Sequence, residues 1–261
     1  MPAIEVVGAR VVNPGATVTE MTALTGQTFA VRTTPEGTKV TLENMWGDNA
    51  TGGVARIRSP RMHDNVQGIR TRVPKTNRRL LLPFAVREPL YNQDTLIVES
   101  SGGGAETDTL YYLVSYEKLP GSEGNFKHPA EVLPRIQNIM GVELKPKSGA
   151  TTGQWGAPVA LNSLMDQFKR PKEYALLGYV TSAECGAVAF HGTDIGEVKV
   201  GGPGTVEPGW TNEYFIRLSE ETGLPAIPCF QAGNVASILA EVSFSGAETE
   251  FPLTVLCAAL A

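Results

Sequence analysis

Residues 82–114 read LPFAVREPLYNQDTLIVESSGGGAETDTLYYLV, and residues 224–256 read LPAIPCFQAGNVASILAEVSFSGAETEFPLTVL. The two stretches align without a gap at an offset of 142 residues, and nine of the 33 positions are identical. The identities include the opening Leu-Pro pair, Glu99 with Glu241, and the tetrapeptide GAET. A match of this length predicts that the chain contains an internal duplication.

A second match lies upstream, at a smaller offset of 134 residues, and aligns GGVA at residues 52–55 with GAVA at residues 186–189. Because both matches occur in the same order in each half, they support one duplication of the whole unit. The change in offset predicts about eight inserted residues in a surface loop between the matches, where insertions cost little. Two further apolar positions align upstream, Val40 with Tyr174 and Leu42 with Leu176.

Each repeat is rich in short segments that alternate apolar and polar residues, the period of a strand with one exposed face. Such segments occur at Val40–Glu43, Ile69–Val73, Glu197–Val200 and Tyr214–Leu218. Two others are apolar on both faces and close their repeats, which predicts central strands buried on both sides. They are Leu110–Val114 and its repeat partner Leu253–Cys257.

Glycine and proline, with 28 and 18 residues, separate these segments and favour turns over long helices. Two short helices are predicted between the repeats, over Pro134–Met140 and Ala160–Phe168. The sequence therefore predicts an all-β protein of two tandem jelly-roll β-sandwiches with one or two short helices. Residues 1–122 form the N-terminal jelly roll, 123–150 a connecting segment with a short helix, and 151–261 the C-terminal jelly roll.

The composition excludes several classes of protein. A net charge of −5 argues against a surface that binds nucleic acid all over. The three cysteines, an odd number without metal-ligand spacing, are expected to be small buried side chains. Residues 1–5 do not begin a signal peptide, and no apolar run is long enough to span a membrane.

No recognised catalytic motif is present, so we expect no enzymatic activity, no cofactor and no metal site. A duplicated cupin would need two histidines separated by one residue, and neither His63 nor His191 has such a neighbour. The segment His191–Asp194 is expected to form a turn. Glu106 and Glu248, at equivalent repeat positions, are expected to fix turns as well.

One charged cluster stands out against the acidic chain, with eight basic residues between positions 56 and 79 and only Asp64 to oppose them. It predicts a face that meets phosphate, an anionic membrane or the acidic surface of a neighbouring subunit. A solvated face whose arginines pair with acids elsewhere is an equal alternative. The cluster consists of Arg56, Arg58, Arg61, Arg70, Arg72, Lys75, Arg78 and Arg79.

With two tandem β-sandwich repeats, carried by 82–114 and 224–256 and their strand-rich flanks, the chain resembles the double jelly-roll major capsid proteins of tailless icosahedral phages. The resemblance implies a viral structural protein that forms homotrimers, with six jelly rolls in a pseudo-hexagonal capsomer. It implies a virion location after synthesis in the host cytoplasm. It further implies contacts with itself, with other virion proteins and with an internal membrane or the genome, and no small-molecule substrate. The basic cluster would then lie at a subunit contact or on the inward face.

Two alternatives remain open. A glycan- or receptor-binding virion protein, such as a spike or fibre head, would present exposed aromatic residues, and Trp46, Trp155 and Trp210 lie near predicted loops. A polysaccharide-active β-sandwich enzyme would need two or three acids that converge in one cleft.

Overall fold

The computed structural model describes residues 1–48, 53–72, 87–102, 104–122, 124–147, 151–161, 168–169, 172–181, 185–204, 211–244, 250 and 252–261. Strands of the first lobe are β1 (Ala3–Val12), β2 (Thr19–Glu20), β3 (Thr22–Ala23), β4 (Val40–Gly47), β5 (Val54–Arg58), β6 (Ile69–Arg72), β7 (Glu88–Leu90), β8 (Ile97–Ser101) and β9 (Thr107–Tyr116).

The second lobe begins with β10 (Phe126–Lys127), the short helix α1 (Pro129–Val132) and a 3₁₀ turn at Leu133–Arg135. Its remaining elements are β11 (Ile136–Leu144), β12 (Val159–Ala160), β13 (Glu173–Thr181), β14 (Cys185–Gly192), β15 (Gly196–Pro203), α2 (Tyr214–Thr222), β16 (Ile227–Gln231), a 3₁₀ helix at Ala232–Ser237, β17 (Leu239–Phe244) and β18 (Leu253–Leu260).

The strand order is the same in both lobes. The first lobe has sheets β3-β1-β9-β4-β7 and β2-β8-β5-β6, and the second has β10-β16-β13-β18-β11 and β12-β17-β14-β15. Apart from the short strands β3 and β10, first pairs with last in each lobe, second with seventh, third with sixth and fourth with fifth. This is the pairing of a rolled-up hairpin, the jelly roll. The predicted all-β fold of two tandem jelly rolls is therefore confirmed.

A shared β-bulge supports the duplication at the level of single residues. The bulge in β4 lies between Leu42 and Asn44, and the bulge in β13 lies between Leu176 and Gly178, so the predicted alignment of Leu42 with Leu176 holds. Leu42 pairs with Val114, whereas Leu176 pairs with Cys257. The final strands are therefore aligned one residue further apart than the ungapped offset of 142 predicts.

The four sheets form a stack in which the two inner sheets come from different lobes. The sheet that contains β9 packs on one side against its own lobe and on the other against the β12-β17-β14-β15 sheet. Tyr111 Oη lies 2.7 Å from Ser243 Oγ, and Trp46 Nε1 donates to the carbonyl of Gly186 at 2.9 Å. This arrangement explains why Leu110–Val114 is apolar on both faces. Its partner β18 lies in an outer sheet, where Thr254 and Leu256 are only half-buried, so the prediction of burial on both faces is wrong for this strand.

Two local predictions are wrong. Residues 134–140, predicted as a helix, largely belong to β11, because pairing with β18 buries Val142 and Leu144. Tyr214–Leu218, predicted as a strand, begins α2, which buries Tyr214, Phe215 and Leu218 on one face and ends at Gly223 in the left-handed region. A segment of five residues is too short to distinguish the hydrophobic period of a strand from that of a helix. Of the predicted helix over Ala160–Phe168, residues 162–167 lie outside the described residues.

The domain boundaries remain a prediction, although β11 lies within the predicted connecting segment and pairs with the second lobe. Cys185, Cys229 and Cys257 are buried, and they form no disulfide bond with one another. Within the described ranges, no helix is both long and apolar enough to cross a membrane.

Candidate functional site: the arginine face of the first lobe

Strand alternation places four of the predicted basic residues on one surface. In β5, Ala55 and Ile57 are fully buried in the core, so the alternate residues Arg56 and Arg58 point outward. In β6, Arg70 lies opposite Arg56 and is exposed on the same side. The arginine face is defined here as the outward side chains of Arg56, Arg58, Arg70 and Arg72.

The arginine face is part of a row of charged residues that crosses the sheet. The strand register places Glu20 opposite Glu99, Glu99 opposite Arg56, and Arg56 opposite Arg70. The acidic half of the row lies on β2 and β8, and the basic half lies on β5 and β6. The face therefore carries a charge gradient from one sheet edge to the other.

Glu99 holds two of the four arginines. Its Oε2 accepts from Arg56 Nε at 2.6 Å and from Arg58 Nε at 2.9 Å, and its Oε1 accepts from Arg58 Nη2 at 3.1 Å. The hydrogen bonds from Arg58 and then Arg56 lower the pKa of the Glu99 carboxyl to about 2. Glu99 is therefore ionised at neutral pH, and it balances one of the two positive charges beside it.

Arg70 and Arg72 lie further out. Arg70 Nη2 donates to the side-chain oxygen of Gln67. Among the described residues, neither Arg70 nor Arg72 forms an ion pair with a carboxylate. Because like charges directly opposite each other on a sheet repel, the Arg56–Arg70 pair favours an anion from outside the chain.

A shallow groove opens on this surface. It has a volume of about 210 Å³, and its walls mix cations, hydroxyls and apolar side chains. The arginines and the Ser101 hydroxyl can donate hydrogen bonds to a carboxylate or a phosphate, whereas the Ser100 hydroxyl is buried and donates to Asp108. Its lining includes Arg56, Arg70, Glu99, Ser101, Val18 and Val54.

The other predicted basic residues do not join this face. Arg61 lies beyond the end of β5, where its guanidinium stacks 4.5 Å from the centre of the Tyr91 ring and donates to the carbonyl of Asn92 at 3.2 Å. Lys75, Arg78 and Arg79 lie outside the described residues. The structure thus brings together four of the eight predicted residues.

The second lobe has a counterpart of Glu99, which is recognisable in the sequence only as a residue shared by the two repeats. Glu241 lies at the equivalent position on β17, 2.6 Å from His191 Nε2 and bonded to Lys199 Nζ. Burial raises the pKa of Glu241, but the hydrogen bonds from His191 and Lys199 hold that pKa below its usual value. The identity of Glu99 and Glu241 in the repeat alignment was the sequence feature that could have identified Glu241 as a charged-contact residue.

The matching face of the second lobe is covered, which explains why it lacks an arginine cluster. Ser243, two residues after Glu241 on the same face, contacts Tyr111 of the first lobe. Lys199 lies 5.2 Å from the ring centre of Trp155, whose Nε1 donates to Gln27 of the first lobe at 2.9 Å. The equivalent of the arginine face is therefore the interface between lobes, where a group of unpaired arginines would be costly.

The residues that suggested the alternative functions in the sequence have structural roles. Trp46 and Trp155 are buried at the lobe interface, and Trp210 lies outside the described residues. Asp194, in the predicted turn, accepts hydrogen bonds from the backbone of Gln231 at 2.8 Å and from Asn234 Nδ2 at 3.0 Å. In the part of the chain that the structure describes, no group of three or more His, Cys, Asp or Glu side chains is placed to hold a metal.

Comparison with known proteins gives only distant similarities. No family model and no curated protein matches the chain. The crystal structure of the PBSX exported protein XepA is 13% identical, covers 100% of this chain and 86% of its own, and has a TM-score of 0.25. The STIV MCP is 9% identical over 99% of this chain and 87% of its own, with a TM-score of 0.20.

A structure of Sulfolobus Turreted Icosahedral Virus gives 8% identity over 99% of this chain and 91% of its own, also with a TM-score of 0.20. TM-scores of this size assign neither a family nor a function. The jelly-roll description of this chain rests on its own strand order.

Proposed function

We propose that the protein is a viral structural protein, a major capsid protein whose homotrimers form the pseudo-hexagonal capsomers of an icosahedral shell. The observation that carries the proposal is the four-sheet stack, in which two jelly rolls with the same strand order are joined by buried polar contacts. Three such chains around a threefold axis place six similar lobes in a ring, which suits closed symmetry.

The architecture also suits high local concentration. Jelly rolls leave few free strand edges, and this limits uncontrolled pairing between copies. In this proposal the protein is located in the virion, has no catalytic activity and takes no small-molecule substrate. Its partners are other copies, other virion proteins and an internal membrane or the genome.

The arginine face would serve as a subunit contact or as part of the inward surface. Arg70 and Arg72 are exposed and are not balanced by carboxylates of the described chain, so an acidic surface outside the chain would complete their interactions. A phosphate-bearing inner layer would do the same.

The proposal is tested by measuring the mass of the purified protein with light scattering and imaging the same sample on a grid. A stable trimer of about three times 27.9 kDa with a hexagonal outline supports it. A protein that stays monomeric at high concentration, and that forms no shell when other virion components are added, overturns it.

The glycan-binding alternative is not favoured, because the two described tryptophans that suggested it are buried between the lobes. A glycan array separates the two functions directly. Specific binding by a monomer would favour the alternative.

A further inference from the structure

Among the residues that the structure describes, strand β11 has a strand partner on one side only. It is the last strand of the β10-β16-β13-β18-β11 sheet and pairs only with β18 among the described residues. It is nine residues long, and five of its residues are exposed. An edge of this length presents a row of backbone donors and acceptors that can pair with another strand.

The equivalent edge of the first lobe is covered. There β1 takes the place of β11, and β3 pairs with it at Ala9 and Arg10. Beyond β3, the side chain of Gln27 continues the cover. It accepts from Gly8 N at 2.9 Å and donates to the carbonyl of Val6 at 2.6 Å. In the first lobe, therefore, β3 and the Gln27 side chain provide hydrogen-bond partners for the backbone groups at this edge.

The chain that supplies this cover is shorter in the second lobe. In the first lobe, residues 21–39 connect β2 to β4 and include both β3 and Gln27. In the second lobe, residues 161–172 connect β12 to β13, which is seven residues fewer. The second lobe therefore has less chain available for the same role.

The sequence of β11 has few of the features that protect natural edges. Residues 136–142 contain no proline and no charged residue, and the side chain of Ile139 is 60% exposed. Natural edges commonly carry lysine or proline, or a bulge that ends pairing. The bulge here lies between Ile136 and Asn138, at the start of the strand, and leaves residues 138–144 in regular register.

We propose that β11 pairs antiparallel with β11 of a second copy of this chain, across a two-fold axis near Met140, so that two sheets become one. The inference rests on the proposed function and extends it. Because a two-fold contact is self-complementary and a threefold contact is not, this pairing would join neighbouring capsomers rather than the subunits of one trimer.

The side chains of β11 complement each other in this arrangement. An axis at Met140 places Gln137 of one copy opposite Glu143 of the other, twice in each contact. Gln137 Oε1 already accepts a hydrogen bond from Lys172 Nζ, so its Nε2 can donate to the carboxylate. Lys172 adds a positive charge near the same carboxylate. Ile139 lies opposite Gly141, which leaves room for its side chain.

The test compares the wild-type protein with Ile139→Lys, using light scattering over a range of concentrations and hydrogen exchange of the edge amides. The edge amides are the backbone N–H groups of residues 137–143 that do not bond β18. Because Ile139 is exposed, the substitution leaves the fold intact while it places two like charges at the contact. The matched control is Val66→Lys, at a side chain that is 66% exposed in the first lobe.

We expect the wild type to form trimers first and larger species at higher concentration, with exchange of the edge amides slowed at least about tenfold in the larger species. Ile139→Lys should keep the trimer and lose both the larger species and the protection, while Val66→Lys behaves as the wild type.

Three results would overturn the inference. Larger species with unprotected edge amides would place the contact elsewhere and leave the proposed function standing. Protection of the edge amides in dilute protein would mean that the chain covers its own edge. A wild type that never self-associates would overturn the proposed function as well.

Discussion

Glu99 and Glu241 occupy equivalent positions in the two jelly rolls, and each binds two basic side chains, yet one lies on an outer face and the other between the lobes. Arg56 and Arg58 hold Glu99, whereas His191 and Lys199 hold Glu241. The duplicated position has kept its acid while its surroundings have diverged. The two sites therefore respond differently to substitution.

Glu99→Gln should destabilise the protein by about 1–2 kcal/mol near neutral pH, because Arg56 and Arg58 lose a charged acceptor at a partly solvated site. The pKa of Glu99, about 2, lies below the ordinary value of 4.5, so its contribution is present above about pH 4.5 and is lost as the pH falls towards 2. Urea unfolding at several pH values measures this difference.

The matched control for that experiment is Glu20→Gln. Glu20 lies opposite Glu99 in the same row but forms no ion pair among the described residues. The Glu20→Gln substitution should change the free energy of unfolding by less than about 0.5 kcal/mol. An equal loss in both variants would show that the face depends on total charge and not on the Glu99 contacts.

Glu241→Gln should cost more, about 3 kcal/mol, because it leaves His191 and Lys199 without a charged partner at a buried interface. Thermal unfolding measures the loss. Glu250→Gln is the control, since its only described ion pair, with Lys147 at 4.0 Å, is exposed. A small effect at Glu241 would mean that solvent compensates the lost contacts, and the lobe interface would then be looser than its burial indicates.

Tyr111→Phe removes one hydrogen bond between the lobes but keeps the ring that stacks on Trp46 at 5.7 Å. We expect a loss of about 1–2 kcal/mol, since a buried partner is left behind. Combined with Ser243→Ala in a double-mutant cycle, it should show a coupling of at least about 0.5 kcal/mol. Additive effects would indicate that the hydroxyl of Tyr111 acts through another partner.

The double variant Arg70→Glu/Arg72→Glu should fold with nearly wild-type stability, because both side chains are exposed. Its self-association, followed by light scattering, should weaken and lose part of its dependence on salt. Lys118→Glu/Lys169→Glu changes the net charge equally at exposed positions away from the arginine face. Unchanged assembly in the arginine variant would remove the arginine face from the proposed contacts.

The sequence predicted those features that depend on local alternation. The period of two in β5 and β6 correctly placed Arg56, Arg58, Arg70 and Arg72 on one side, because Ala55 and Ile57 must face the core. The repeat likewise predicted two lobes with the same fold, since similar sequences are expected to form the same order of strands.

Long-range contacts could not be predicted in this way. The pairing of Arg56 with Glu99 depends on β5 lying beside β8 in the sheet, although 43 residues separate them in the chain. The burial of Glu241 depends on how the lobes stack, which no periodic pattern records. At Tyr214–Leu218, tertiary packing and the left-handed Gly223 decided for a helix where the short alternation favoured a strand.

The way the lobes stack has a consequence for the outer surface of the first lobe. The inner sheets meet as unlike faces, so the contact resembles the joint between successive units of a repeat protein, and in principle such a joint can be extended at both ends. Repeat arrays stop where a terminal unit turns a polar surface outward. In this chain the arginines of the first lobe occupy that terminal surface. A further lobe stacked in the same way would bury these arginines, so the charge on this surface disfavours that contact.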